Sequence, residues 1–221
     1  MRGELWMDST YTVITADIID SKKKFYRPEE VLQLQERIEI FNDEVKEDLV
    51  SSFSLSRGDE VQGVMKSPEH LLAILRKLRY RFYPLEIRIG IGIGEIATPV
   101  NPGDSWAMNG EAFYLAREAL DEVKGKRWEK TRLRTENPLL EKGVLPILKL
   151  LDIIQDKWTA QQWEAIHLYE KTGTLKKTAE QLGIAFQNVE KRCVAARWQV
   201  VKEVEEEYRE FVGHTMQVSL V

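Results

Sequence analysis

Cysteine, histidine and proline are scarce, at one, three and seven residues among 221. Each scarcity removes a class of explanation. Cys193 has no partner thiol in the chain, so no internal disulfide staples the fold. Neither a second cysteine nor a pair of histidines stands at a zinc-ligand spacing, and no serine or cysteine nucleophile motif is present. Cys193, His167 and His214 therefore read as structural residues. No apolar run approaches the roughly 20 residues that cross a bilayer. Met1 to Leu5 lacks the apolar stretch of a secretory signal, so the expectation is a cytoplasmic protein with no membrane partner. Neither an internal repeat nor a low-complexity tract occurs. A net charge of −4 gives no global attraction to polyanions, and any such site has to be a local patch. With 43% hydrophobic and 31% charged residues, the chain has material for one ordinary globular domain and a small second one.

What is present is organised by periodicity. Tyr11 to Ile19 is β-branched and apolar, which suits a strand buried on at least one face. Pro28 opens a helix with Glu29 and Glu30 in its first turn, and Val31, Leu34, Ile38, Phe41 and Val45 recur as one buried stripe. Leu49 to Leu55 and Val61 to Met65 are strand-like runs on either side of Arg57-Gly58-Asp59-Glu60, close enough to pair as a hairpin. Ser67-Pro68-Glu69 starts a second helix, with Leu71, Leu72, Leu75 and Leu78 inward and Arg76, Lys77, Arg79 and Arg81 outward. From Leu85 to Ile96, Ile87, Ile89, Ile91 and Ile93 alternate with Arg88, Gly90, Gly92 and Gly94. A strand face made of glycine is one that a ligand or another backbone approaches closely. The order strand, helix, strand, strand, helix, strand predicts an α+β unit of ferredoxin-like (βαββαβ) type, an antiparallel sheet under two helices.

Beyond it, Thr98 to Ala107 is a proline- and glycine-bearing loop and a candidate flap, and Gly110 to Val123 returns to helix. Lys126 to Arg134 is a candidate edge strand, and Leu145 to Ile154 an apolar connecting helix. Thr159 caps a helix that Gly173 ends, Thr178 to Ile184 forms a second, and Phe186 to Trp198 a third. Trp158, Trp163, Phe186 and Trp198 are the expected core of this unit. Helix, glycine turn, helix is the helix-turn-helix pattern. The expected division is residues 8–135, a connector at 136–157, and a helical domain at 158–212.

Two acidic turns concentrate the chemistry: Asp17-Ile18-Ile19-Asp20 and Arg57-Gly58-Asp59-Glu60. If the runs that lead into them are neighbouring strands, Asp17 and Asp59 meet at the sheet edge. There opposed carboxylates repel unless a divalent cation lies between them. The plainer alternative is a strand end beside an ordinary hairpin turn. Lys22, Lys23, Lys24 and Arg27 follow the first turn, and could gather around a triphosphate or form a solvated loop.

These stretches, with Arg88 to Glu95 and Gly110 to Ala116, resemble the successive motifs of class III nucleotide cyclases and the related GGDEF diguanylate cyclases over about residues 10–125. The resemblance implies a cyclase-type palm with Asp17, Asp59 and the carbonyl of Ile18 as Mg²⁺ or Mn²⁺ ligands. It makes Glu60 a ligand or catalytic base, and Lys22 and Arg117 candidate nucleotide contacts, while Arg88, beside the glycine series, reads as a phosphate contact or a solvated edge charge. It also implies a homodimer, since such cyclases form their sites between two subunits. Where those cyclases carry an asparagine and a transition-state arginine, this sequence has Tyr114 and Glu118, with Arg117 one step away. Arg57 replaces the first glycine of the GGDEF signature. The whole chain, including Trp158-Thr159, resembles the SatD family.

The segment Thr178 to Ile184 is similar to sigma factor region 4, which implies that the following helix reads DNA with Gln187, Asn188, Lys191 and Arg192. Glu190 and the acidic block from Glu203 to Glu207 oppose that. The expectation is a regulator that pairs a nucleoside triphosphate- or cyclic nucleotide-binding palm with a DNA-binding unit. The alternatives are an active cyclase or nucleotidyltransferase, and a protein-interaction adaptor with vestigial sites.

Overall fold

The computed structural model describes residues 10–21, 28–56 and 59–218. Lys22 to Lys24, Arg27, Arg57 and Gly58 lie outside the described residues. The first part runs β1 (Thr10–Ile18), α1 (Pro28–Val45), β2 (Leu49–Leu55), β3 (Glu60–Met65), α2 (Leu71–Phe82), β4 (Ile87–Glu95), α3 (Glu111–Val123) and β5 (Thr131–Thr135). The second part is helical: α4 (Pro138–Gln155), α5 (Ala160–Thr172), α6 (Leu175–Leu182), α7 (Phe186–Ala195) and α8 (Trp198–Val218).

The strands form a sheet in the order β2-β3-β1-β4-β5. β1 lies antiparallel between β3 and β4, and β2 pairs antiparallel with β3, which gives the expected βαββαβ arrangement. The edge strand over Thr131–Thr135 is also present, but it runs parallel to β4, so the sheet is mixed. A parallel neighbour needs a crossover, and α3 supplies it.

Period two along the strands divides the two faces. Ile14, Ala16 and Ile18 of β1, with Ile87, Ile89, Ile91 and Ile93 of β4, join the large core beneath α1 and α2. Val13 and Val64 face the other way, against Ala112 and Ala116 of α3. Glycine decides how α3 sits there. A Cβ on Gly90 would stand 2.1 Å from the Ala116 carbonyl oxygen, and one on Gly92 only 2.0 Å from that of Ala112. The glycine face is thus occupied by helix backbone, the packing alternative of the two that the pattern allowed.

Several helix boundaries differ from expectation for local reasons. Asn137 accepts hydrogen bonds from the Leu139 and Leu140 amides and Pro138 occupies the first turn, so this pair opens α4 well before Leu145. Thr159 and Gln162 form a capping box at α5, and left-handed Gly173 and Gly183 end α5 and α6. The third helix stops at Ala195 instead of reaching Trp198, because Arg197 turns to φ 57° and Trp198 begins α8. Val31 of α1 is 37% exposed, while Leu34, Ile38, Phe41 and Val45 form the buried stripe.

The helical part is fastened to the α2 side of the palm. Arg76, expected in water, is 2% exposed. Its guanidinium donates to Glu205 at 2.7 and 3.0 Å and to Glu170 at 2.9 Å twice, beneath the Trp198 ring. Arg79 reaches Asp152 and Gln155, and Arg81 reaches Glu44, so neither of these is free in solvent. The Tyr208 hydroxyl donates to the Pro68 carbonyl at 3.0 Å.

Candidate functional site: the acidic edge of the palm

Register places the two acidic turns together. Asp17, one residue from the end of β1, stands opposite Glu60 of β3 on one side and Arg88 of β4 on the other. All three occupy the α3 face, because Asp17 shares its side of β1 with Val13 and Thr15. Asp20 follows in a left-handed turn at φ 58°, a conformation that aspartate tolerates better than most residues. Ile18 is buried and pairs with Ile87, so the end of β1 is fixed.

Asp17 is buried, at 8% exposure, and its two oxygens are unequal. Oδ2 accepts from the Arg88 guanidinium at 3.4 Å, at the long limit of a hydrogen bond. Oδ1 is buried with no hydrogen-bond partner. Burial raises the Asp17 pKa above its ordinary value. The Arg88 and Lys124 charges oppose that, and those of Asp59 and Glu60 add to it. Asp59 is half-buried at the mouth of the β3 turn, near enough for its charge to act on Asp17. Lys124, just past α3, is a cation at this edge that sequence pattern did not single out; it bonds Asp121 at 2.6 Å.

Glu60 and Arg117 are held by each other. The guanidinium donates to both carboxylate oxygens, at 2.6 and 2.7 Å, and this pairing raises the Arg117 pKa. Deeper along the same face, Thr15 donates to Gln62 at 3.2 Å. Gln62 donates to the Ser105 carbonyl at 3.0 Å, and the Ser105 hydroxyl returns a bond to the Gln62 carbonyl. The loop expected as a flap is thereby tied down over β2 and β3.

Among the described residues, no three His, Cys, Asp or Glu side chains converge as a ready-made metal site. The donor set nonetheless fits a hard cation of the Mg²⁺ kind, which takes one or two carboxylates and fills its other positions with water and phosphate oxygens. Asp17 Oδ1 is the orphaned oxygen that such an ion would satisfy, with Asp59 as the second carboxylate.

The sequence model of the SatD family matches residues 11–205. The chain belongs to the SatD family. No curated protein matches it. Among solved structures, this SatD-family chain is similar to the catalytic core of a rhodopsin-guanylyl cyclase with converted specificity in complex with ATPαS. Identity there is 16% and the TM-score 0.39, over 51% of this chain and 72% of that one. It is likewise similar to the guanylate cyclase domain of RhGC from Catenaria anguillulae in complex with GTP, at 16% identity and TM-score 0.38, over 51% and 72%. A third is a bacterial light-regulated adenylyl cyclase, at 14% identity and TM-score 0.39, over 68% and 81%.

In this SatD-family chain the second set of candidates lies on α7. Gln187, Asn188 and Lys191 are exposed, and Arg192 is half-buried, 3.8 Å from Glu164. Trp158, Trp163 and Trp198 are buried as expected, and Phe186 is not: at 50% exposure it opens α7 on the outside. Val189 and Cys193 fill the α7 core position instead, four residues apart on one helical face. No helix among the described residues is long and apolar enough to cross a membrane.

Proposed function

We propose that this chain is a cytoplasmic regulatory protein whose palm binds a nucleoside triphosphate through a divalent cation and whose α5 to α7 unit binds DNA, acting as a homodimer. The observation that carries the first half is the buried, unpartnered Oδ1 of Asp17 beside Asp59. A carboxylate oxygen kept from water with no donor is costly, and a cation relieves that cost. Bound there, Mg²⁺ or Mn²⁺ would neutralise triphosphate oxygens. Asp17 and Asp59 hold the ion, with the Ile18 carbonyl as a further oxygen. Arg88 and Lys124 supply positive charge for the phosphates, with Lys22 as a further candidate. A cyclic nucleotide is the alternative ligand class.

The Arg117 grip on Glu60 favours binding over turnover, since a carboxylate held in two hydrogen bonds to a guanidinium is a poor proton acceptor. Isothermal titration with ATP and GTP tests the palm. Saturable binding should require Mg²⁺ or Mn²⁺ and disappear in Asp17→Asn and Asp59→Asn; equal affinity in those variants, or none in the native chain, overturns the reading.

The second half is supported by the capped α5 to α7 arrangement and by the exposed Gln187, Asn188 and Lys191 on α7. Fluorescence anisotropy with duplex DNA should show affinity that falls with salt. Lys191→Ala should reduce the log–log slope by about one, and Arg192→Ala should weaken binding further. Salt-independent association, or none, removes this half.

A further inference from the structure

Apart from the acidic edge, a cleft of about 280 Å³ opens where the α2–β4 turn, the C-terminal end of α4 and the start of α5 meet. The palm contributes Tyr83 and Leu85, and the helical part contributes Trp158 and Trp163. The two indoles pack edge to face with centroids 4.5 Å apart, and Trp158 Nε1 donates to the Ala196 carbonyl at 2.9 Å. The aromatic wall is therefore rigid.

Most polar groups here are already engaged. Asp152 Oδ2 accepts from the Lys130 and Thr131 amides at 2.8 Å each, and Oδ1 accepts from Arg79. Lys130 Nζ bonds Asp156, and Glu86 at 3.0 Å. A buried exception is Gln155. Arg79, which can only donate, bonds its Oε1 at 2.5 Å, and this settles the orientation of the amide. Nε2 is then the free end. It is buried on a residue 4% exposed, and no acceptor reaches it. Glu86 and Asp156, more exposed, keep lone pairs available at the rim. Three carboxylates against two cations disfavour a phosphorylated ligand, and the volume lies near the lower limit for small-molecule sites.

We propose that this cleft binds a phosphate-free nucleobase or nucleoside, its flat ring against the aromatic wall, a ring acceptor on Gln155 Nε2 and an amino group on Glu86. A heteroaromatic ring with acceptors and amino donors on one edge matches the free groups in kind, and its faces suit indole and phenol. Because the lining comes from the palm, α4 and α5 together, an occupant fastens those three segments to one another and acts as an effector. The proposal does not rest on the acidic edge.

Isothermal titration of the full chain without divalent cations decides it, using adenine, adenosine, guanosine and cytidine, with ATP as the phosphorylated control. At least one base or nucleoside should bind saturably, and ATP at least tenfold more weakly. Gln155→Met should weaken that binding about fivefold, the worth of one neutral hydrogen bond. Glu86→Ala, a surface change that leaves the fold intact, should weaken it severalfold, and it alone decides if Gln155→Met melts early. Asp17→Asn should leave it unchanged. No binding from any probe at millimolar concentration, equal affinity for ATP, indifference to the cleft variants, or loss in Asp17→Asn overturns the proposal.

Discussion

Arg117 and Glu60, 57 positions apart, meet fork to fork across the α3 face of the sheet, guanidinium nitrogens 2.6 and 2.7 Å from the two carboxylate oxygens. The arginine side chain is 40% exposed and the glutamate 25%, so water screens the pair. Arg117→Met should therefore lower stability in urea denaturation by no more than about 1 kcal/mol. A loss several times larger would make this pair a structural keystone and not a reserve of charge at the site.

Asp17 should cost the empty protein stability at neutral pH. Burial is the main cause of its raised pKa, so the folded state holds its proton more tightly than the unfolded state. Between the ordinary carboxylate value and the raised one, the folded state binds more protons, and stability falls as pH rises. Above that window the cost is complete. Asp17→Asn should accordingly melt higher than the native chain at pH 7, and the advantage should vanish as pH drops below about 4, near the ordinary aspartate value. An advantage that persists unchanged in acid would show that titration of Asp17 is not its source.

Gly92→Ala should disrupt the seat of α3. The new methyl would stand 2.0 Å from the Ala112 carbonyl oxygen and 2.4 Å from the Ala116 nitrogen, both backbone atoms of a packed helix. Overpacking of this kind costs about 1–3 kcal/mol or more. The shift of α3 should also loosen Arg117 from Glu60. Chemical denaturation measures the first effect, and the side-chain resonances of Arg117 in NMR spectra report the second.

Arg76 should be the most expensive ionic residue to truncate. With its guanidinium gone, Glu170 and Glu205 are left facing one another without their cation, a change worth about 3–5 kcal/mol for a buried pair. Burial pushes the Glu170 pKa up, yet the Arg76 bonds and the Lys77 charge hold it below its ordinary value. The stability it contributes is present above the unfolded-state pKa and lost as pH falls through the lowered one. The cost of Arg76→Ala should shrink in acid as Glu170 takes up its proton. Equilibrium denaturation at pH 7 and pH 3 checks both statements.

How far the sequence disclosed this molecule follows from the range of each interaction. The palm strands were legible because β1 and β4 keep period two, and the glycine alternation of β4 marked a close approach by ligand or backbone, which the packing of α3 decides for backbone. Thr159, Gly173 and Gly183 marked their helix ends through local hydrogen bonding. Failures came where distant partners override local pattern. Arg76 sits among lysine and arginine on a face that reads as wet, and only the carboxylates of α5 and α8 make its burial tolerable. Phe186 reads as core, but Val189 and Cys193 take the inward positions of α7. At the site, proximity of the two acidic turns was inferable from strand order. The Arg117 and Glu60 pairing, the orphaned oxygen of Asp17 and the presence of Lys124 were not, since each depends on how α3 lies across the sheet.

In the proposed function, Asp17 and Asp59 share one divalent cation. The most direct measurement is a Mn²⁺ titration followed by electron paramagnetic resonance, with a non-hydrolysable triphosphate analogue present. One tightly bound ion per chain is expected, lost in Asp17→Asn and in Asp59→Asn and retained in Asp20→Asn. A free Mn²⁺ signal that the native protein leaves untouched, or that both variants reduce as much as the native chain does, would contradict it.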